Sequence, residues 1–198
     1  MTRRGYAVTL FLLLLLCYGY FFPRWADWAQ NSRMDMILAV VDQGTLRIDD
    51  YYTNTGDYAY FEGHYYTDKS PGPSLMGIPV YAAFKLVASL PPVAALLERA
   101  GSSEAFAQTL EEGGEGATVD RVYFAAALYA VTFCVISIPS ALIGVVLFYF
   151  AASFAVKDAY AFWLALAYGL ATPAFAYSGF FGQHQISTFG AFVSFWLF

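Results

Sequence analysis

Three groups of side chains in this sequence have the types and spacing to do chemistry. The first is a run of carboxylates: Asp35, Asp42, Asp49, Asp50, Asp57, Glu62 and Asp68. A carboxylate held beside a membrane can take the proton of an attacking hydroxyl or amide. It can also hold a divalent cation next to a phosphate. Most charges in such a loop are simply solvated, so one or two of these are expected to act. The second group lies in the segment Tyr60–Ser74, where Gly63, Pro71 and Pro73 force tight turns around His64 and Lys69. Lys69 is the natural partner of an anionic headgroup phosphate, and His64 can donate to the same anion; the plainer reading of Lys69 is a lysine snorkelling to an interface. The third is His184, the one Asp, Glu, Lys, Arg or His among residues 159–198. An ionisable group at membrane depth is costly and functional by default, the plainer reading being a turn histidine facing water. There is no P-loop, dinucleotide glycine motif, nucleophile elbow or Cys/His metal spacing, which counts against a nucleotide-consuming enzyme or a soluble hydrolase.

The elements that must position these groups are apolar. Of 198 residues, 59% are hydrophobic, 20% aromatic and 13% charged, against about 45–50% apolar and about 25% charged for a soluble domain. Such a composition excludes disorder, a basic nucleic-acid-binding domain and a disulfide scaffold, and predicts an all-α, polytopic transmembrane bundle. Residues 24–121 carry 14 of the 15 acidic side chains, and the net charge of −5 argues against nucleic acid as a partner. Cys17 and Cys134 both fall in apolar runs and read as lipid- or core-facing thiols.

Spans are expected at about 6–22, 122–154, 159–178 and from 186 onward, with an outer loop carrying juxtamembrane helices over 23–121. Arg3 and Arg4 place the N-terminus in the cytoplasm. Asn31–Gln43 reads as an amphipathic helix with Met34, Ile37, Leu38 and Val41 on one face, Asp35 and Asp42 on the other, and Gly44 at its end. An irregular, Tyr-rich stretch follows, suited to a membrane–water interface. Ser70–Leu97, interrupted by prolines and Lys85, reads either as a second span or as a helix in the outer interface. The acidic stretch 98–121 favours the interfacial placement, because it makes a poor cytoplasmic loop. Residues 122–156 are uncharged and too long for one upright span, so a tilt or a kink at Pro139 is expected. The last apolar run, 186–198, is shorter than a span, and the chain reads as the front portion of a longer protein.

The order of these elements is similar to the N-terminal region of GT-C-type membrane glycosyltransferases, including the protein O-mannosyltransferase and aminoarabinose-transferase-like families. The likeness rests on Asn31–Arg33, Val41–Leu46, Thr55–Ala59 and Gly63–Gly72, followed by an apolar helix. It implies a polyprenyl-phosphate-linked sugar donor, a glycan, lipid or protein acceptor, and reaction on the extracytoplasmic face of the plasma (inner) membrane. It implies a loop carboxylate that activates the acceptor, with Lys69, Arg33 and His64 at the carrier phosphate and His184 completing the site from a second outer loop. The family's acidic pair falls near Asn31–Ser32, which cannot act as a base. The acid is then Asp57, or else Asp35, Asp49 or Asp50, with a divalent cation as a possible cofactor. The family's Lys-Pro-Pro turn here runs Lys69-Ser70-Pro71-Gly72. Readings from other classes are a transporter or lipid flippase, and a membrane subunit without chemistry.

Overall fold

A computed structural model of the chain describes residues 1–23, 27–102, 121–154 and 157–198. In chain order its elements are α1 (Arg3–Tyr20), α2 (Trp28–Leu38), β1 (Tyr58–Phe61), β2 (His64–Thr67), α3 (Gly72–Ala88), α4 (Pro91–Gly101), α5 (Arg121–Ser153), α6 (Asp158–Ala171), α7 (Ala174–Ser178) and α8 (Gln183–Leu197). The all-α expectation holds apart from one two-stranded antiparallel hairpin. Among the described residues one helix, α5, is long and apolar enough to cross a membrane, or two if the bent pair α3–α4 is counted as one span. The expected acidic stretch 98–121 lies for the most part outside the described residues.

The chain forms two compact units, Met1–Phe22 with Thr132–Phe198, and Pro23–Val131. In the first, α1 buries Leu10, Leu14 and Tyr18 among Ala141, Phe148, Ala161, Phe162 and Ala165. Glycine makes this approach possible. A Cβ at Gly144 would strike Leu14, and one at Gly169 would lie 2.5 Å from Leu14 Cδ2 and 2.8 Å from the Tyr18 hydroxyl oxygen. That hydroxyl donates to the Gly169 carbonyl at 3.1 Å. Small residues at helix contacts are the usual route to close packing in apolar surroundings. Gly169→Val is therefore expected to cost about 1–3 kcal/mol, read as a lower thermal midpoint of the full-length protein. Arg3, at the start of α1, pairs with Asp158, at the start of α6, at 2.9 Å. The span expected over 159–178 is broken after Ala171, where Thr172 is extended and Pro173 follows. A residue preceding proline is steered out of the helical region. α5 runs past Pro139 but contains a π-helical stretch at Phe133–Ser137, just ahead of the proline. Such widened turns accommodate a local break in the hydrogen-bond ladder.

In the second unit, α2 is the central element. Asp27 caps it by accepting from the Gln30 N–H at 3.1 Å, the Asp-x-x-Gln arrangement of a helix start. The helix widens into a π-helical turn at Ala39–Gln43 and stops at Gly44, whose φ of 70° is left-handed. The Thr45 N–H then closes on the Ala39 carbonyl at 3.3 Å. The expected helix over 31–43 with its stop at Gly44 is thus present. Its expected polar face is not: every residue from Gln30 to Ala39 is buried, Asp35 included. α3 lies against α2, and Gly77 leaves room for Ile37 and Val131. Asp42 bridges to α3, taking 2.6 Å from Lys85 Nζ and 3.0 Å from the Tyr81 hydroxyl. α3 and α4 meet at 94° across the extended Leu90, which precedes Pro91–Pro92.

The stretch read as irregular contains the hairpin. Glu62 and Gly63 form its two-residue turn, at φ 49° and 86°, the pair of left-handed positions that matches strand twist. The register pairs Tyr58 with Thr67, Ala59 with Tyr66, Tyr60 with Tyr65 and Phe61 with His64.

Candidate functional site

The hairpin hangs from α2 by two threonines. Thr55 Oγ1 donates to the Trp28 carbonyl at 2.8 Å, and the Thr67 and Ser32 hydroxyls share a 2.7 Å hydrogen bond. Trp28 and Ser32 are four residues apart on α2, hence on one face. Each threonine also receives the N–H two residues on. Asp57 N donates to Thr55 Oγ1 at 2.9 Å, and Lys69 N donates to Thr67 Oγ1 at 3.2 Å. These local turns fix the backbones of Asp57 and Lys69 at the open end of the hairpin. Gly56 is demanded by the same arrangement, since a Cβ there would lie 2.8 Å from the Trp28 ring.

The two side chains meet. Lys69 Nζ lies 2.9 Å from Asp57 Oδ2 and 3.2 Å from Asp68 Oδ1, all three partly exposed. The hydrogen bond to Asp57 holds the Lys69 ammonium above its ordinary range, so it stays charged at neutral pH. Arg33 joins from α2. It is 4% exposed, and Nη1 donates to the Ala29 carbonyl at 2.7 Å. Burial pulls its pKa down, and the charges of Asp68, Asp27 and Asp57 oppose that pull. The group is therefore two cations among three carboxylates. Lys69 offers three N–H donors, of which the carboxylates of Asp57 and Asp68 engage two among the described residues.

The other expected residues are placed elsewhere. Asp49 pairs with His64 at 2.7 Å, and its second oxygen accepts from the Tyr65 N–H, also at 2.7 Å. The backbone hydrogen bond and the histidine both hold the Asp49 carboxyl below the usual range. With Ile48 N donating to the Tyr65 carbonyl at 2.9 Å, residues 48–49 cover the outer edge of β2. His64 and Lys69 thus lie at opposite ends of that strand, about 10 Å long, and do not face one anion together. Asp50 is exposed and receives Gln43 Nε2 at 2.7 Å. His184 belongs to the first unit, exposed near the start of α8, its ring 4.6 Å from that of Tyr177.

Asp35 is a correction to the expected set. It is fully buried, and burial drives its pKa well above the usual 3.8. Oδ1 accepts from Asn54 Nδ2 at 3.0 Å, while Oδ2 and the buried Asn31 Oδ1 have no donor among the described residues. Sealed from solvent, Asp35 cannot meet a substrate. The site also uses residues that sequence reasoning passed over. Asp27 was signalled by its capping pattern with Gln30, whereas Asn54, whose carbonyl accepts from Asn31 Nδ2 at 2.8 Å, had no local signal.

The proton balance of Asp35 gives a sign. The unfolded chain releases this proton near pH 3.8, and the folded chain holds it to higher pH. Asp35 therefore favours folding at low pH and subtracts stability as pH rises above that value. Asp35→Asn removes the penalty and keeps an oxygen to accept from Asn54 Nδ2. At pH 8 the variant is expected to be about 1 kcal/mol more stable than wild type. The gap should close below pH 4, as followed by thermal unfolding across that range. A less stable variant at pH 8 would contradict this placement.

Among the described residues no three His, Cys, Asp or Glu side chains converge as metal ligands. The place between Asp57 and Asp68 is taken by the Lys69 ammonium. Comparison with protein-family models, curated proteins and solved structures finds no match.

Proposed function

We propose that this chain is part of a membrane glycosyltransferase that moves a sugar from a polyprenyl-phosphate donor to an acceptor at the extracytoplasmic membrane face. The observation that carries the proposal is the joining of Asp57 and Lys69 at 2.9 Å, with both backbones fixed by threonines anchored to α2. It supplies a base and a phosphate-seeking cation within one solvent-accessible group.

In the proposed step the acceptor oxygen bonds to the anomeric carbon as the bond from that carbon to the carrier phosphate oxygen breaks. The acceptor proton passes to Asp57. The electron pair leaves with the polyprenyl phosphate, whose growing charge is met by Lys69 and by Arg33 behind it. Charge that develops only in the transition state is where fixed cations contribute most to rate. As Lys69 turns toward the leaving phosphate it releases Asp57 to accept the proton. Asp49, Asp50, His64 and His184 enter no step.

The membrane setting is part of the same proposal. α5 supplies an apolar helix of 33 residues, and the Arg3–Asp158 pair sets the starts of α1 and α6 at one end. That pairing fits the topology in which 73–90 does not span and both starts are cytoplasmic. The sharp α3–α4 bend at Pro91 likewise suits helices lying along an interface. The test is transfer itself. Full-length protein in proteoliposomes, given polyprenyl-phosphate hexoses and pentoses labelled in the sugar, should move label from the lipid to an acceptor in a membrane extract. Failure to turn over any of these donors would contradict the proposal.

A further inference from the structure

The hairpin carries a tyrosine cluster that the proposed step does not use. Tyr65 and Tyr52 are stacked face to face, with ring centroids 4.0 Å apart and planes within 3°. Tyr58 stands edge-on to Tyr65 at 5.0 Å, and Tyr60 leans on it, also at 5.0 Å. Cross-strand pairing puts Tyr60 opposite Tyr65, so these rings share one sheet face. Tyr52 and Tyr65 are partly covered, while Tyr58 is 41% and Tyr60 64% exposed. The exposed rings are held by the partly covered half of the cluster, and their orientation is fixed before any ligand arrives.

Two occupants suit exposed tyrosines, a lipid interface and a sugar ring, and the surrounding charge decides between them. Between residues 47 and 69 the acids are Asp49, Asp50, Asp57, Glu62 and Asp68, and the bases are Arg47 and Lys69. Lys69 is already engaged by two of the acids. A segment with this excess of carboxylates repels anionic headgroups, whereas carboxylates are strong acceptors for the hydroxyls of a neutral polyol. A pyranose offers the matching surfaces: an apolar C–H face for an aromatic ring and hydroxyls for nearby carboxylates. Asp57 directly precedes Tyr58, so the platform begins one residue along the chain from the proposed base.

We infer that Tyr58 and Tyr60, braced by Tyr52 and Tyr65, form a binding platform for a neutral carbohydrate, and that the acceptor of the transfer is a glycan. The platform stands on the hairpin geometry; the acceptor assignment rests on the transferase reading above. The experiment is saturation-transfer NMR on the full-length protein in phosphatidylcholine nanodiscs, with hexaoses of mannose, glucose and N-acetylglucosamine as probes. At least one hexaose should receive saturation at its ring C–H protons. Tyr58→Ala and Tyr60→Ala should each weaken that binding about tenfold, the worth of one well-made ring contact. Tyr60→Phe, which keeps the ring, should stay within about threefold of wild type. No binding of any hexaose, or binding unchanged by both alanine variants, overturns the platform. So does broadening of the Tyr58 and Tyr60 ring signals by headgroup spin labels without sugar binding, which makes the face a membrane contact. Hexaose binding in a protein that turns over no donor keeps the platform and removes the transferase. Donor turnover without hexaose binding does the reverse.

Discussion

Asparagine at position 57 is expected to lower kcat for sugar transfer by about 10²–10⁴, the usual contribution of a positioned general base. The donor KM should stay within a few-fold of wild type. The substitution is nearly isosteric, and its amide oxygen can still accept from Lys69 Nζ, which now lies 2.9 Å from Asp57 Oδ2. Asp57 N remains held by Thr55 Oγ1, so the backbone stays in place and the lost proton acceptor is the main change. An interaction made chiefly in the transition state shows in kcat, not in KM. Insertion and folding should be unaltered, because Asp57 is partly exposed and outside the packed interior of its unit. If Asp57→Asn turns over at the wild-type rate, Asp57 is a structural partner of Lys69 and the base lies elsewhere.

Lys69→Met should divide the kinetics the other way. A charge-assisted hydrogen bond to a phosphate contributes about 1.5–3 kcal/mol, so the donor KM is expected to rise about 10–100-fold. Methionine keeps much of the apolar stem, which separates loss of charge from loss of packing. Asp57 and Asp68 are then left without their cation. Both are about a third exposed, so water screens them and the cost to folding is small. Lys69→Arg restores the charge but brings a planar fork in place of a point charge, and it should recover part of the affinity. A Lys69→Met protein with unchanged donor KM would make Lys69 a clamp on the hairpin mouth and nothing more.

The fold was legible where local rules decide. The stop of α2 at Gly44 follows from a glycine placed to turn left-handed. The apolar stretch after residue 121 appears as α5. The break after Ala171 had its own signal in Pro173. So did the hairpin, with Glu62-Gly63 between two aromatic runs. There the tyrosines suit a membrane interface equally well, which masks the alternation. The burial of Asp35 was not legible. The spacing of Met34, Ile37, Leu38 and Val41 marks one apolar face, but α2 is covered on its other side as well, with Asn54 bonded to both Asn31 and Asp35. No local pattern shows that a helix is enclosed.

The candidate site divides in the same way. Lys69 and Asp57 stood out by type, and Thr55-Gly56-Asp57 and Thr67-Asp68-Lys69 each carry the spacing of a threonine turn. That both threonines bind one face of α2, and so bring base and cation together, depends on the hairpin register and was beyond reach. The grouping of His64 with Lys69 followed from their closeness in sequence. An extended strand places them at its two ends, which is the reason His64 pairs with Asp49 instead.

The proposed transfer makes a lipid-carried phosphate the ligand of Lys69. Its most direct measurement is the binding of polyprenyl phosphate, without sugar, to the full-length protein in phosphatidylcholine nanodiscs, wild type against Lys69→Met. The expected result is saturable binding to wild type and at least about tenfold weaker binding to the variant. No saturable binding to wild type, or equal affinity in both proteins, would contradict the claim.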